Sequence, residues 1–401
     1  MKPNTPGFIG ERLTQARRSI GLNGIGLAGL LGVSATTISQ YEKNKQSPRP
    51  EVMDKICDKL NLSRSFFLRP INDRGARRIR YRSLSAATKS ARDRAEVRFD
   101  WTREIVEYLA EKFDFPKLNL PQVELPSDFR SFTSELIEEA AMSCRQLWGF
   151  DVRPIPDVVL ALESNGIIVI RGALGAETLD AFSEQLPDDF AYIFLGSDKG
   201  LCARSRFDAA HELGHLILHK NVDQKDFRNP SDFKILESQA HRFAASFLLP
   251  ASSFLKSLWA PTLDAFRVQK ETWNVSIKGM IVRARQLRLL DAQQYQRMMI
   301  NYARRFRNGE PGDEKELERP RLVPRCFDAL VSGRVRTKAQ LLAEIALSPN
   351  DIEELAGLHR GFFSGFLGEV IQMPVLKKQP SQQTEGGDSV SADIISIRSA
   401  S

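Results

Sequence analysis

Apolar residues recur at helical spacing along most of the chain, and the pattern breaks at glycine, proline and polar clusters. Near the N-terminus it predicts helices over about Phe8 to Ser19, Ile25 to Leu31, Ala35 to Tyr41 and Val52 to Leu60. Ile9, Leu13 and Ala16 form the inward stripe of the first. Gly32 ends the second, Ser34 is an N-cap for the third, and Pro48 and Pro50 precede the fourth. Further on, helices are expected over Phe132 to Trp148 and Val158 to Ser164, with short strands near Ile167 to Ile170 and Ala191 to Leu195. Two amphipathic helices follow, around Phe207 to Leu218 and Leu236 to Leu249, the second stopped by Pro250. Phe266 to Leu290 reads as helical, and Leu322 to Phe366 as a small helical unit. The expectation is a mainly α fold with a small sheet, an α+β arrangement.

Charge changes that picture by dividing it. The chain has 401 residues and a formal net charge of +7, yet residues 1–120 hold 23 Lys/Arg against 13 Asp/Glu. The rest is mildly acidic, so affinity for a polyanion is expected in the N-terminal part alone. There the apolar code Leu27-Ala-x-x-Leu-Gly-Val-Ser34, followed by Ile38, is the packing signature of a helix-turn-helix. Gly24, Gly26 and Gly29 lie in its second helix, each costing up to about 1 kcal/mol of helix propensity. Arg74 to Arg103 carries ten Arg/Lys against three acids, with Tyr81, Phe99 and Trp101 interleaved. It reads either as a solvated helix joining domains or as an arm adding phosphate contacts.

Composition excludes other classes. Hydrophobic content of 42% with 27% charged residues fits a soluble globular protein of two or three domains. No apolar run approaches the roughly 18 residues of a membrane span, and no signal-peptide core is visible, so a cytoplasmic protein is expected. Cys57, Cys144, Cys202 and Cys326 are far apart and read as reduced thiols, not metal pairs.

Four of the five histidines lie between 211 and 241. His211 and His215 are four apart, which stacks both imidazoles on one helix face. Such a pair can share one Zn2+, and Glu212, rotated off that face, is placed to act as general base on an attacking water. A bland reading, histidines merely lying at a surface, competes with this. A tetrahedral site needs a third protein ligand. Asn221 stands where a third histidine six residues after His215 would make the chain a metzincin. In the next amphipathic helix Glu237 is the favoured ligand. His241 is an alternative ligand or a partner hydrogen-bonded to Glu237, and His219 continues the face of His215 and orients or caps.

The run Arg206-Phe-Asp-Ala-Ala-His-Glu-Leu-Gly-His-Leu-Ile-Leu-His219, then Glu237-x-x-Ala-His-Arg-Phe-Ala-Ala-x-Phe-Leu-Leu-Pro250, resembles the ImmA/IrrE family of zinc metallopeptidases. Arg145-Gln-Leu-Trp-Gly149, Gly166-Ile-Ile-Val-Ile170 and Asp180-Ala-Phe-Ser183 resemble that family's lead-in. The resemblance covers roughly residues 130 to 260. It implies ligands His211, His215 and Glu237, with Glu212 as base; the position of His241 is often Asn in that family. The N-terminal unit resembles the XRE/Cro repressor domains. That resemblance implies that the third helix enters the DNA major groove, with Ala35, Thr36, Thr37 and Gln40 at base edges and Ser39 and Lys43 at phosphates. Tyr81-Arg-Ser-Leu84 with Ala86-Ala-Thr-Lys89 is similar to long peptidase members that carry such a repressor domain.

These readings divide the chain into a helix-turn-helix domain (1–70), a basic helical linker (71–125), a zincin-like metallopeptidase domain (126–260), a helical extension (261–305), a small helical C-terminal region (306–377) and a disordered tail (378–401). The Pro-rich stretch 116–128 marks one boundary, and the charged 305–320 reads as a linker. The function expected is a DNA-binding regulator with a zinc-dependent endopeptidase. By resemblance its protein substrate would be a repressor-like regulator. The alternative is a zinc-containing regulator that binds DNA and a protein without turnover. A homodimer on double-stranded operator DNA is the expected state, with no membrane partner.

Overall fold

The computed structural model describes residues 4–71, 88–172, 181–185, 190–196 and 200–364. The Tyr81-Arg-Ser-Leu84 motif, Asp180 and the expected tail 378–401 lie outside those residues. Five helices build the first unit: α1 (Gly10–Ser19), α2 (Gly24–Leu31), α3 (Ala35–Glu42), α4 (Pro50–Leu60) and α5 (Arg64–Leu68). The glycine-rich α2 forms because both ends are capped. Asn23 Oδ1 accepts from the Gly26 amide at 2.8 Å, and Gly32 closes the helix in the left-handed region at φ 68°. Ser34 caps α3 through the Thr37 amide at 3.0 Å. Pro50 does not precede the fourth helix, as expected from sequence, but occupies its first turn, where the absent N–H has no partner to lose. Leu13, Leu27, Leu31, Ile38, Met53 and Ile56 fill the core between these helices.

The next helix, α6 (Lys89–Ala110), is solvated only in its first turns; from Ala95 on it is not the solvated helix expected, because Val97, Phe99, Trp101, Ile105, Val106 and Leu109 are all buried. Trp101 meets Phe66 of α5 edge-on with centroids 5.5 Å apart, and Arg12 of α1 donates to Glu104 at 2.8 Å. Phe99 packs against Phe182 and Tyr192, at 5.6 and 5.5 Å. A single helix thus touches both the N-terminal unit and the sheet that follows.

That sheet lies among α7 (Ser134–Leu147), α8 (Val158–Ser164), α9 (Cys202–Leu218), α10 (Gln224–Arg228) and α11 (Pro230–Leu248). Its strands β1 (Ile167–Gly172), β2 (Ala181–Gln185) and β3 (Ala191–Gly196) stand in the order β1-β3-β2. β3 runs parallel to β1 and antiparallel to β2. β2 was not expected: Ala-Phe-Ser-Glu-Gln is short and half polar. Side chains alternate across the sheet. Ile168, Ile170, Phe182, Tyr192 and Phe194 join the core around α6, while Ile167, Val169, Ala181, Ala191, Ile193 and Leu195 join the core around α9.

Among the described residues seven further helices follow: α12 (Ala251–Ser257), α13 (Leu263–Trp273), α14 (Ile277–Gln286), α15 (Ala292–Arg305), α16 (Leu322–Ser332), α17 (Lys338–Ile345) and α18 (Pro349–Leu355). The stretch Phe266 to Leu290 is helical as expected, and a second helix opens after Trp273-Asn-Val-Ser276, where Asn274 turns left-handed at φ 50° and Ser276 caps α14. The segment 306–321 is no free linker. Glu310 takes Lys270 at 2.8 Å, and Glu318 pairs with Arg206 of α9 while accepting from the Val158 amide at 2.9 Å. In return Glu163 of α8 accepts from the Arg321 and Leu322 amides at the start of α16. The last helices also reach the first unit, since Arg69 donates to the Ile345 carbonyl at 2.9 Å and Ser63 to that of Ala346 at 3.2 Å.

Candidate metal centre

Helices α9 and α11 cross closely because their contact positions are small. A Cβ on Gly214 would lie 3.0 to 3.2 Å from the Phe243 side chain, so only glycine leaves that ring its place. Ala209, Ala210 and Ala244 are buried nearby in the same core, and Ala240 is buried as well. Arg145 of α7 anchors the end of α11 by donating to the Phe247 carbonyl, and also to backbone carbonyls of Asp151 and Arg153.

Across this crossing His211, His215 and Glu237 bring their ligand-type atoms within 4.8 Å of one another. His211 Nε2 lies 3.1 Å from His215 Nε2. One oxygen of Glu237 is 3.2 Å from His215 Nε2 and the other 3.5 Å from His211 Nε2. Ligands each about 2.0–2.1 Å from a tetrahedral zinc stand about 3.3 Å apart. The three separations bracket that spacing, and two imidazoles with a carboxylate are a donor set suited to zinc. The residues fit the ion. Burial acts to raise the Glu237 carboxyl, but hydrogen bonds from His211 and His215 outweigh it and hold the group well below its usual range, hence ionised.

Glu212 is buried beside this group, and Ser183 Oγ of β2 donates to its Oε2 at 2.7 Å. His219 does not converge with the other two histidines. It is wholly buried, with Nδ1 2.8 Å from His215 Nδ1 and Nε2 2.9 Å from Gln239 Oε1. His241 is also outside the three-residue group. Its Nδ1 lies 2.7 Å from the Glu237 carbonyl, one turn back along α11, and its ring packs edge-on against His211 at 4.5 Å. Its contact is with the backbone of Glu237, not with the carboxylate that sequence reasoning offered as partner.

In the N-terminal unit α3 turns Ile38 and Tyr41 inward and leaves Ala35, Thr36, Gln40 and Lys43 exposed. Thr37 and Ser39 are half-buried, and the Thr37 hydroxyl is engaged with that of Ser34 at 2.8 Å.

Residues 162–284 match the family model described as the IrrE N-terminal-like domain, a peptidase family, and residues 13–67 match that described as helix-turn-helix. The chain fuses a helix-turn-helix unit to an IrrE-like, peptidase-type unit. No curated protein matches the chain as a whole or in part. The helix-turn-helix match supports a DNA-binding regulator, and the IrrE-like match a metallopeptidase-type domain. The IrrE-like match runs past α11 through α13 and most of α14, so part of what reads from sequence as an extension belongs to the matched region. Within the described residues no helix is long and apolar enough to cross a membrane.

Two side chains of the IrrE-like unit escaped the sequence reading. Ser183 lies in the run Asp180-Ala-Phe-Ser183, but nothing in that run signals a contact with Glu212, 29 residues later. Gln239 stands two residues after Glu237 with no spacing rule to mark it. Only the packing of α11 on α9 brings it to His219.

Proposed function

We propose that this chain is a DNA-bound zinc endopeptidase in which His211, His215 and Glu237 hold the metal and Glu212 is the general base. The convergence of those three ligand groups at zinc-like separations, beside a buried glutamate, carries the reading. A bound zinc would polarise the scissile carbonyl and make water a nucleophile near neutral pH. Glu212, oriented by Ser183, takes the proton from the attacking water and delivers it to the leaving amine. Among the described residues β2 pairs with β3 alone, and β2 also packs on α9. An extended substrate peptide can lie along the other edge of β2 and present its carbonyl to the centre, the backbone supplying affinity by strand addition.

The helix-turn-helix unit would place this chemistry on double-stranded DNA. Ala35, Thr36, Thr37 and Gln40 would read base edges from the major groove, and Ser39 and Lys43 would contact phosphates. A repressor-like protein bound at the same operators, in the cytoplasm, is then the natural substrate, and two copies on a two-fold site the natural assembly. The test is incubation of the zinc-loaded chain with the repressor encoded beside its gene. Cleavage by wild type and a loss of at least about 100-fold in Glu212→Gln are expected. Equal cleavage by both would remove Glu212 from the mechanism, and none by either would leave a regulator without turnover.

A further inference from the structure

Helix α3 presents a narrow chemistry to whatever lies against it. Ala35, Thr36 and Gln40 are exposed, and Thr36 and Gln40 share one face, about 6 Å apart along the axis. These three side chains offer methyl groups, a hydroxyl and a carboxamide, and no charge. Their neighbours are engaged elsewhere. The Thr37 hydroxyl is taken by that of Ser34 at 2.8 Å, which leaves Thr37 its methyl. Arg17 of α1 donates to both oxygens of Glu42, at 2.6 and 3.2 Å, and to the Leu22 carbonyl at 2.8 Å. The guanidinium and the carboxylate closest to this face therefore neutralise each other. Lys43 stands at the C-cap, more than two turns from Ala35. Helix α2 adds no polar side chain, since its exposed positions are Ile25, Gly29 and Leu30.

We propose that this surface selects A·T pairs, with the Gln40 carboxamide bonded to N6 and N7 of an adenine and the Ala35 and Thr36 methyls packed on thymine methyls. The inference rests on the DNA-binding reading of the helix-turn-helix unit and goes beyond it by naming the bases. The argument is a matching of groups. In the major groove guanine shows two acceptors, read chiefly by a bidentate Arg or Lys, and cytosine shows an amino donor, read by a carboxylate. The exposed face of α3 carries neither partner, because Arg17 and Glu42 are spent on each other. Adenine shows an acceptor beside a donor, which a carboxamide matches with both of its halves. Thymine alone carries a methyl, which apolar groups cover. The Thr36 hydroxyl bonds either kind of pair and adds no preference. About 6 Å of helix spans roughly two base-pair steps, so these residues read neighbouring pairs.

The test uses the full chain and a pool of duplexes with random cores, from which bound sequences are selected and then titrated singly at fixed salt. A run of about two or three A·T pairs in each half-site is expected. A G·C pair in place of one of them is expected to weaken binding about 5–150-fold. A preference read from DNA shape would select the same pairs, and an inosine·cytosine pair separates the two causes. Its minor groove is that of A·T and its major groove that of G·C. Inosine·cytosine is expected to bind as weakly as G·C; binding as tight as A·T would overturn the proposal. Gln40→Arg is expected to exchange A·T for G·C at one position of the selected site and to leave the others, a swap that a purely structural role for Gln40 would not produce. An unchanged site in that variant would also overturn the proposal. Selection of G·C pairs by wild type, or salt-sensitive binding without base preference, would overturn it while leaving DNA binding in place. No binding to any duplex at low salt would remove both readings.

Discussion

Burial works against ionisation at Glu163, pushing its carboxyl up to about 7 despite the Arg321 and Leu322 amides that it accepts from. Below pH ~4.3 the group is protonated in both the folded and the unfolded chain, and its stabilising protonated form is fully present. As pH rises toward 7 the unfolded chain ionises first, so this contribution is lost through that window and the loss levels off above it. Wild type is therefore expected to lose more stability between pH 5 and 8 than Glu163→Gln, by on the order of a few kcal/mol in urea unfolding. Parallel pH profiles would contradict the assignment. At this scale the sequence was legible where chemistry is local. His211, Glu212 and His215 follow from spacing on a single helix. Glu237 needed a second motif 22 residues on, which the small alanines around it supplied. Ser183 and Gln239 are invisible to spacing because tertiary register alone brings them to Glu212 and His219.

Glycine shows how an element's pattern can mislead or inform. In α2, three glycines argue against a helix, yet end caps at Asn23 and Gly32 and the buried Leu27, Ala28 and Leu31 hold it. In α9, Gly214 breaks helix propensity for a reason that the structure supplies, the Phe243 ring against it. Gly214→Ala would gain about 1 kcal/mol of propensity but force the Phe243 ring and its Cβ aside, an overpacking cost of about 1–3 kcal/mol. The expected outcome is a lower Tm together with weaker zinc binding, because moving α11 moves Glu237; a variant more stable than wild type would show that the two helices have room. Most helices were legible from periodicity and caps. The exceptions share a cause. β2 lacks a strand-length apolar run, and α6 hides a buried face among charges whose partners, Glu104 with Arg12 and Arg98 with Glu354, lie far away in sequence.

Over the whole molecule, charge separated a basic N-terminal third from an acidic remainder, and that division coincides with the two family matches. Composition did not reveal how the parts join. Helix α6 lies between Phe66 of the helix-turn-helix unit and Phe182 and Tyr192 of the sheet, and the helices from α16 to α18 brace both sides through Arg69, Arg98 and Glu163. β2, whose Phe182 touches α6 on one face, presents Ser183 to Glu212 on the other. The DNA-type unit and the candidate metal centre are thus joined through continuous packing. Everything proposed for that assembly depends on one cation held where α9 and α11 cross. The direct measurement is zinc titration of the metal-free full chain by calorimetry, wild type beside Glu237→Ala. One zinc per chain is expected for wild type, with affinity weakened at least about 100-fold in the variant, beyond the range of an outer-shell change. No zinc uptake by wild type, or equal uptake by a folded Glu237→Ala, would contradict the account.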